Sequence, residues 1–69
     1  MEDNWVLVYE TPEPYRAEMA KQLLESNNIE AVVVDKRDSS FLSFGKAELY
    51  VNKEDEGRAK SFIKEFKGE

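Results

Sequence analysis

Residues 46–52, KAELYVN, alternate strictly between apolar and polar side chains. The apolar set is Ala47, Leu49 and Val51, and the other set is Glu48, Tyr50 and Asn52. This alternation predicts a β-strand with one buried and one open face, because neighbouring side chains of a strand point in opposite directions. We therefore expect the rest of the chain to cover the sheet on one side only.

Two other segments have the composition of strands. The segments NWVLVYE (4–10) and IEAVVVDK (29–36) are rich in β-branched and aromatic residues, which pack well on a pleated surface. Together with residues 46–52 they predict a three-stranded sheet.

A first helix is predicted between the first two strands. Thr11 can cap its start, Pro12 suits its first position, and the helix runs to about Asn27. Its apolar face is formed by Ala17, Ala20, Leu23 and Leu24. Asn27 and Asn28 form a plausible stop, since asparagine tolerates a left-handed cap.

A second helix is predicted after the third strand. Asn52 resembles its N-cap, with Asp55 as the acid at the third position. Its apolar stripe is Ala59, Phe62, Ile63 and Phe66, so Phe62 and Ile63 are expected in the core. Gly68 follows the stripe as a terminator.

The order of these elements is β-α-β-β-α, within one predicted domain that spans residues 1–69. Two helices can cover only one face of a three-stranded sheet. A right-handed split crossover places the third strand between the first and second. The sequence therefore predicts an α+β fold: a ferredoxin-like split β-α-β-β-α with a three-stranded antiparallel sheet of order 1-3-2.

The uncovered face of this sheet is predicted to be apolar. If Val6 and Val8 lie beneath the helices, the outward set is Trp5, Leu7, Tyr9, Val32, Val34 and Tyr50. Such a surface indicates an interface, with a second copy of the chain as the first expected partner. Two alternatives remain open: a tail or loop covers the face, or one strand has the opposite register.

The connection between the second and third strands is long and apolar. It contains RDSSFLSF (37–44), whereas hairpin loops usually have about two to five residues. Its large side chains, Phe41, Leu42 and Phe44, either contact a partner or cap the end of the core. A weaker alternative is an anion site formed by Lys36, Arg37, Ser39 and Ser40.

Composition argues against several classes of function. The chain has no cysteine and no histidine among its 69 residues, so a cysteine nucleophile, the commonest general base and the commonest metal ligand are missing. Its formal net charge is −5, which disfavours nucleic acid and anionic membranes. We expect no enzyme, no cofactor and no metal. The acidic start, MEDNW, lacks the apolar stretch of a signal peptide, and a cytoplasmic location is expected.

Most of the chain resembles a known family. The run from Val6 to Ser40, and FGKAELYVNKEDEGRAKSFI after it, is similar to the small bacterial family described as "putative prokaryotic signal transducing protein". The most telling pieces are ETPEPYRAEMAKQLLESNNIEA and ELYVNKEDEGRAKSFI. The resemblance implies a ferredoxin-like fold related in shape to the PII proteins, in which the connection between the second and third strands is a long contact loop.

The predicted function is a small non-enzymatic interaction or regulatory module. Its contacts would be made by the open sheet face and the 37–45 loop, with a homodimer or another protein as the assembly. The alternative is a sensor that holds a small anionic metabolite or nucleotide in the 36–45 loop.

Overall fold

The computed structural model describes residues 4–35 and 46–68. Its strands are β1 (Trp5–Thr11), β2 (Ala31–Asp35) and β3 (Ala47–Asn52). Its helices are α1 (Pro14–Glu25) and α2 (Glu56–Lys67). The order along the chain is β1, α1, β2, β3, α2, as predicted from the sequence.

The three strands form an antiparallel sheet in which β3 is central. The order is β1-β3-β2, and both outer strands pair antiparallel to β3. This order confirms the predicted split α+β fold. Because β3 lies between the other two strands, its side chains define both faces of the sheet.

The core lies between the sheet and the two helices. The inward residues of β3 are Ala47, Leu49 and Val51, all with 0% exposure. The helices bury mainly small side chains against them: Ala17, Ala20 and Leu24 from α1 and Ala59 and Ile63 from α2. The alanines let the helix backbones lie close to the sheet, so a chain of this length can still form a close-packed interior.

The predicted core position of Ile63 is confirmed, since it is buried in the central cluster. Phe62 lies at the margin of that cluster, where it is partly buried and packs against it. The same is true of Phe66. The predicted apolar stripe of α2 therefore has a buried centre and an aromatic border.

A β-bulge in β1 changes the predicted direction of one side chain. Leu7 is paired with Tyr50 and Tyr9 with Leu49, so the pairing shifts between Leu7 and Tyr9 and leaves Val8 as the extra residue. Val8 packs against the core as predicted. Tyr9 does so as well, with 8% exposure. The predicted outward position of Tyr9 is wrong, because the bulge breaks the alternation on which it was based.

Tyr9 connects β1 to both helices. Its ring meets Phe66 of α2 edge to face, with centroids 5.8 Å apart and planes at 84°. Arg16 of α1 donates a hydrogen bond from Nε to the Tyr9 hydroxyl at 3.3 Å. The Arg16 guanidinium also lies 5.7 Å from the Phe66 ring centroid, within the range of a cation–π contact. These contacts anchor the start of α1 to the end of α2.

The start of α1 differs from the prediction. Thr11 still belongs to β1, where it is paired with Ala47 and buried. Its hydroxyl accepts a hydrogen bond from the amide of Glu13 at 3.1 Å, which turns the chain out of the strand. The helix begins at Pro14, which suits a first-turn position because amides there have no intrahelical partner. Pro12 lies outside the helix.

The start of α2 also differs. Residues Lys53–Asp55 form a 3₁₀ turn, and α2 begins at Glu56. Asn52 precedes that turn but makes no side-chain capping hydrogen bond. The predicted terminator is confirmed, since Gly68 is left-handed with φ 81°.

The end of α1 is fixed by a left-handed asparagine. Asn28 has φ 66°. The amide of Asn28 donates to the carbonyl of Glu25 at 3.0 Å, and the amide of Ile29 donates to that of Leu24 at 3.0 Å. This is the Schellman pattern, including the apolar contact between its two ends, because Leu24 and Ile29 are both in the core. The predicted stop at Asn27–Asn28 is confirmed.

This geometry predicts how substitutions at Asn28 affect stability. Asn28→Ala should lower the free energy of unfolding by about 1 kcal/mol, because a left-handed conformation places Cβ against the following carbonyl. Asn28→Gly should not, since glycine has no Cβ. Urea unfolding of the two variants measures the difference. Equal stabilities for the alanine and glycine variants would contradict the explanation.

Candidate interaction surface on the sheet

The face of the sheet opposite the helices, called here the outer face, is mainly apolar. Pairing across the strands aligns Leu7, Tyr50 and Val32 in one row. Leu7 is 43% exposed, and the other two are half-buried. Side chains directly opposite each other on neighbouring strands are close enough to touch, so this row forms a continuous apolar strip.

Two further side chains extend this strip along the strands. Trp5 precedes Leu7 by two residues, and Val34 follows Val32 by two, so both lie on the same face as the strip. Both are half-buried. We call the set Trp5, Leu7, Val32, Val34 and Tyr50 the outer patch.

Acidic side chains border the outer patch on one side. Glu10 of β1 is paired with Glu48 of β3, in the row next to the apolar strip. The hydroxyl of Tyr50 donates a hydrogen bond to Oε1 of Glu48 at 2.8 Å. Lys46 Nζ lies 3.8 Å from Glu10 Oε1, and the two side chains are 51% and 41% exposed. The outer face therefore combines an apolar centre with a charged border that contains Glu10, Glu48 and Lys46.

These carboxylates raise the pKa of Tyr50 above its ordinary value. The main cause is the hydrogen bond to Glu48, which requires the protonated phenol. Burial and the negative charges of Glu48 and Glu10 act in the same direction, since each disfavours a phenolate.

This shift predicts an alkaline loss of stability. A pKa that is higher in the folded than in the unfolded protein means that the folded state holds the proton more tightly. The contribution should be complete below the ordinary tyrosine value of about 10 and disappear as pH rises through the folded value. Wild type should therefore lose more stability than Tyr50→Phe above that pH. Urea unfolding across an alkaline pH series measures this, and parallel losses in the two proteins would contradict it.

The structure brings together five of the residues predicted to contact a partner. Trp5, Leu7, Val32, Val34 and Tyr50 share the outer face, and Tyr9 lies on the opposite side, in the core. The other predicted sites lie outside the described residues. They are the loop residues Phe41, Leu42 and Phe44, together with Lys36, Arg37, Ser39 and Ser40 of the anion site.

The sequence interpretation missed one outer-face residue, Glu10. Regular alternation from Val6 and Val8 would place Glu10 beneath the helices, where an unpaired carboxylate is costly. The bulge instead pairs Glu10 with Glu48 on the outer face, where it is exposed. The conflict between a regular register and a buried glutamate is a sequence signal that could have predicted the bulge.

Residues 4–35 and 46–68 contain neither a metal-binding cluster nor a membrane-spanning helix. No cluster of three or more acidic side chains there could hold a metal ion. Neither helix in this part of the chain is long and apolar enough to cross a membrane.

The fold and the outer patch together define a split β-α-β-β-α protein with an open, largely apolar sheet face. Comparison with family models places residues 5–67 in one family, described as "putative prokaryotic signal transducing protein". Since the match covers nearly all of the 69 residues, the chain belongs to this family, as its sequence features suggested. No curated protein and no solved structure matches the chain.

Proposed function

We propose that the chain is a small non-enzymatic interaction module whose contacts are made by the outer patch. The family description supports a role in signal transduction. It names no chemical step, which fits a protein that acts by binding.

The observation that carries the proposal is the apolar strip formed by Leu7, Tyr50 and Val32. The domain's core lies on the other side of the sheet, so stability does not require large apolar side chains here. An antiparallel sheet that faces water usually carries polar side chains on its open face. Covering the strip with another protein would release the water that it now orders at apolar surface.

The proposal predicts that a charge in the strip abolishes assembly without unfolding the chain. Tyr50→Glu places a carboxylate at the centre of the outer patch, where burying it against a partner would cost several kcal/mol. We expect wild type to form dimers or to co-purify with another protein. We expect Tyr50→Glu to remain a folded monomer with no bound partner. Sedimentation and circular dichroism measure the two properties.

Tyr15→Glu provides the matched control. Tyr15 is 61% exposed on α1, outside the outer patch, so the same change there should leave assembly intact. Loss of assembly in both variants would show that added charge, not the site, is responsible. A wild-type chain that stays monomeric at high micromolar concentration and co-purifies with nothing would overturn the proposal.

A further inference from the structure

The sheet ends in two outer strands, β1 and β2, and only β1 carries a feature that discourages further pairing. In the part of the chain that the structure describes, each outer strand pairs with β3 alone. β1 contains the bulge at Val8, and bulges distort an edge so that another strand pairs with it less readily. β2 pairs with β3 in one continuous register from Ala31 to Asp35, and its sequence, AVVVD, contains neither proline nor lysine.

The side chains of β2 are incompletely covered. Val33 packs against the core from the helix-facing side, while Val32 and Val34 belong to the outer patch. All three are only half-buried, whereas Leu49, the partner of Val33 on the central strand, has 0% exposure. A run of β-branched residues is typical of a strand that is buried on both faces. β2 therefore has the composition of an inner strand at the position of an outer one.

The backbone of β2 directs hydrogen-bonding groups towards the open edge. The amide of Lys53 donates to the carbonyl of Asn4 at 2.6 Å, so this amide faces β1. Backbone groups along an antiparallel strand face its two neighbours alternately. Those of Tyr50, three residues earlier, therefore face β2, where Val32 is the partner. The residues of β2 whose amide and carbonyl groups face away from β3 are then Ala31, Val33 and Asp35.

We propose that a second copy of the chain pairs with β2 along this edge, antiparallel and around a two-fold axis at Val33. Val33 of one copy then lies opposite Val33 of the other, and Ala31 lies opposite Asp35. Every outward amide and carbonyl group of these three residues meets a complementary group, because the outward positions are symmetric about Val33. The edge is thus complementary to itself, and pairing joins two three-stranded sheets into one.

Pairing along this edge also extends the outer patch. Val32 of one copy lies opposite Val34 of the other on the outer face, so the two outer patches join into one apolar surface. The seam has the length of the 5 residues of β2, about 17 Å. It covers much less than the roughly 800 Å² per partner of a stable interface, so the pairing is weak by itself. The seam is separate from the contact proposed at Tyr50, and Tyr50→Glu can sediment as a monomer while it still pairs transiently.

A single introduced thiol tests the seam directly, because the chain has no cysteine. Opposite residues of a hydrogen-bonded antiparallel pair have Cα atoms about 5.5 Å apart, which is within the range of a disulfide. Val33→Cys should therefore form a disulfide-linked dimer under mild oxidation. Val6→Cys is the matched control, since Val6 is also half-buried against the core, on the other outer strand. Corrected for the reactivity of each thiol with a small reagent, Val33→Cys should cross-link about ten times faster than Val6→Cys.

The same thiol separates the seam from the outer patch. Tyr50→Glu/Val33→Cys should cross-link at a rate close to that of Val33→Cys, because Tyr50 lies on β3 and not at the seam. Equal corrected rates for Val33→Cys and Val6→Cys would overturn the proposed pairing. Loss of the cross-link on Tyr50→Glu would also overturn it, since the dimer would then belong to the outer patch, and the proposed function would stand. A cross-link at Val33 in a chain whose assembly is unaffected by Tyr50→Glu would have the opposite meaning.

Amide hydrogen exchange, measured by NMR, tests the pairing in the unmodified chain. The Val33 amide should exchange more slowly as the protein concentration is raised, since pairing withdraws it from water. The Leu7 amide, which by the same alternation faces the open edge of β1, should keep its exchange rate. If the exchange rate of the Val33 amide is independent of concentration, the edge either stays open or is covered by something other than a second copy, and the proposed pairing is wrong.

Discussion

Replacing Leu49 with alanine should leave the chain largely unfolded at room temperature. Leu49 has 0% exposure at the middle of the central strand, with Tyr9 and Val33 as its partners on either side. Truncating a buried leucine costs about 2–5 kcal/mol, because apolar contacts are lost and a cavity remains. A core of this size rarely supplies more than about 3–5 kcal/mol in total. Circular dichroism in a urea titration measures the loss.

Leu7→Ala is the matched control for Leu49→Ala. It is the same chemical change on the neighbouring strand, but Leu7 is 43% exposed on the outer face. At concentrations too low for assembly, its effect should stay below about 1 kcal/mol, as is usual for exposed positions. Similar losses at the two positions would mean that the sheet faces are assigned wrongly.

Tyr9→Ala should have an effect of comparable size to that of Leu49→Ala. The substitution removes a buried ring together with its contacts to Phe66 and Arg16. Truncation of a large core aromatic costs about 3–5 kcal/mol. Tyr9→Phe keeps the ring and loses only the 3.3 Å hydrogen bond from Arg16, so it should cost about 1 kcal/mol. Thermal and urea unfolding of the two variants separate the contribution of the ring from that of the hydroxyl.

Tyr15→Ala is the control for Tyr9→Ala, because Tyr15 is a largely exposed tyrosine of α1. It should change stability by less than about 0.5 kcal/mol. The comparison also tests the bulge. In a regular strand Tyr9 would lie on the outer face, and Tyr9→Ala would then cost little more than Tyr15→Ala.

The general architecture could be predicted from sequence because its main signals are local and consistent. The alternation of apolar and polar residues around Leu49 requires that one face of the sheet be buried. The apolar face of the second helix, which includes Ile63, packs against part of that sheet face. Asn28 and Gly68 mark helix ends because each adopts a left-handed conformation. With one helix between the first two strands, a crossover that is both right-handed and split places β3 between them.

The details that shape the site depend on contacts between distant parts of the chain. Val8 is left without a partner on β3 because Tyr9 pairs with Leu49. The ring of Tyr9 also packs against Phe66 of α2. Neither partner is near in sequence, so regular alternation was the simplest prediction, and it failed at Tyr9 and Glu10. The start of α1 was misplaced for a similar reason. Thr11 is kept in the strand by its pairing with Ala47, which outweighs its preference for a helix cap.

The central position of β3 also determines when this protein can fold during synthesis. β1 and β2 pair with β3 and not with each other, yet β3 is the last strand to leave the ribosome. Until residues 47–52 emerge, the nascent chain holds two apolar strands without hydrogen-bonded partners. Pairing between strands that are far apart in sequence slows folding. Strands without a hydrogen-bonded partner also favour aggregation. The sheet can therefore form only once residues 47–52 are available, and until then both outer strands lack the strand with which they pair.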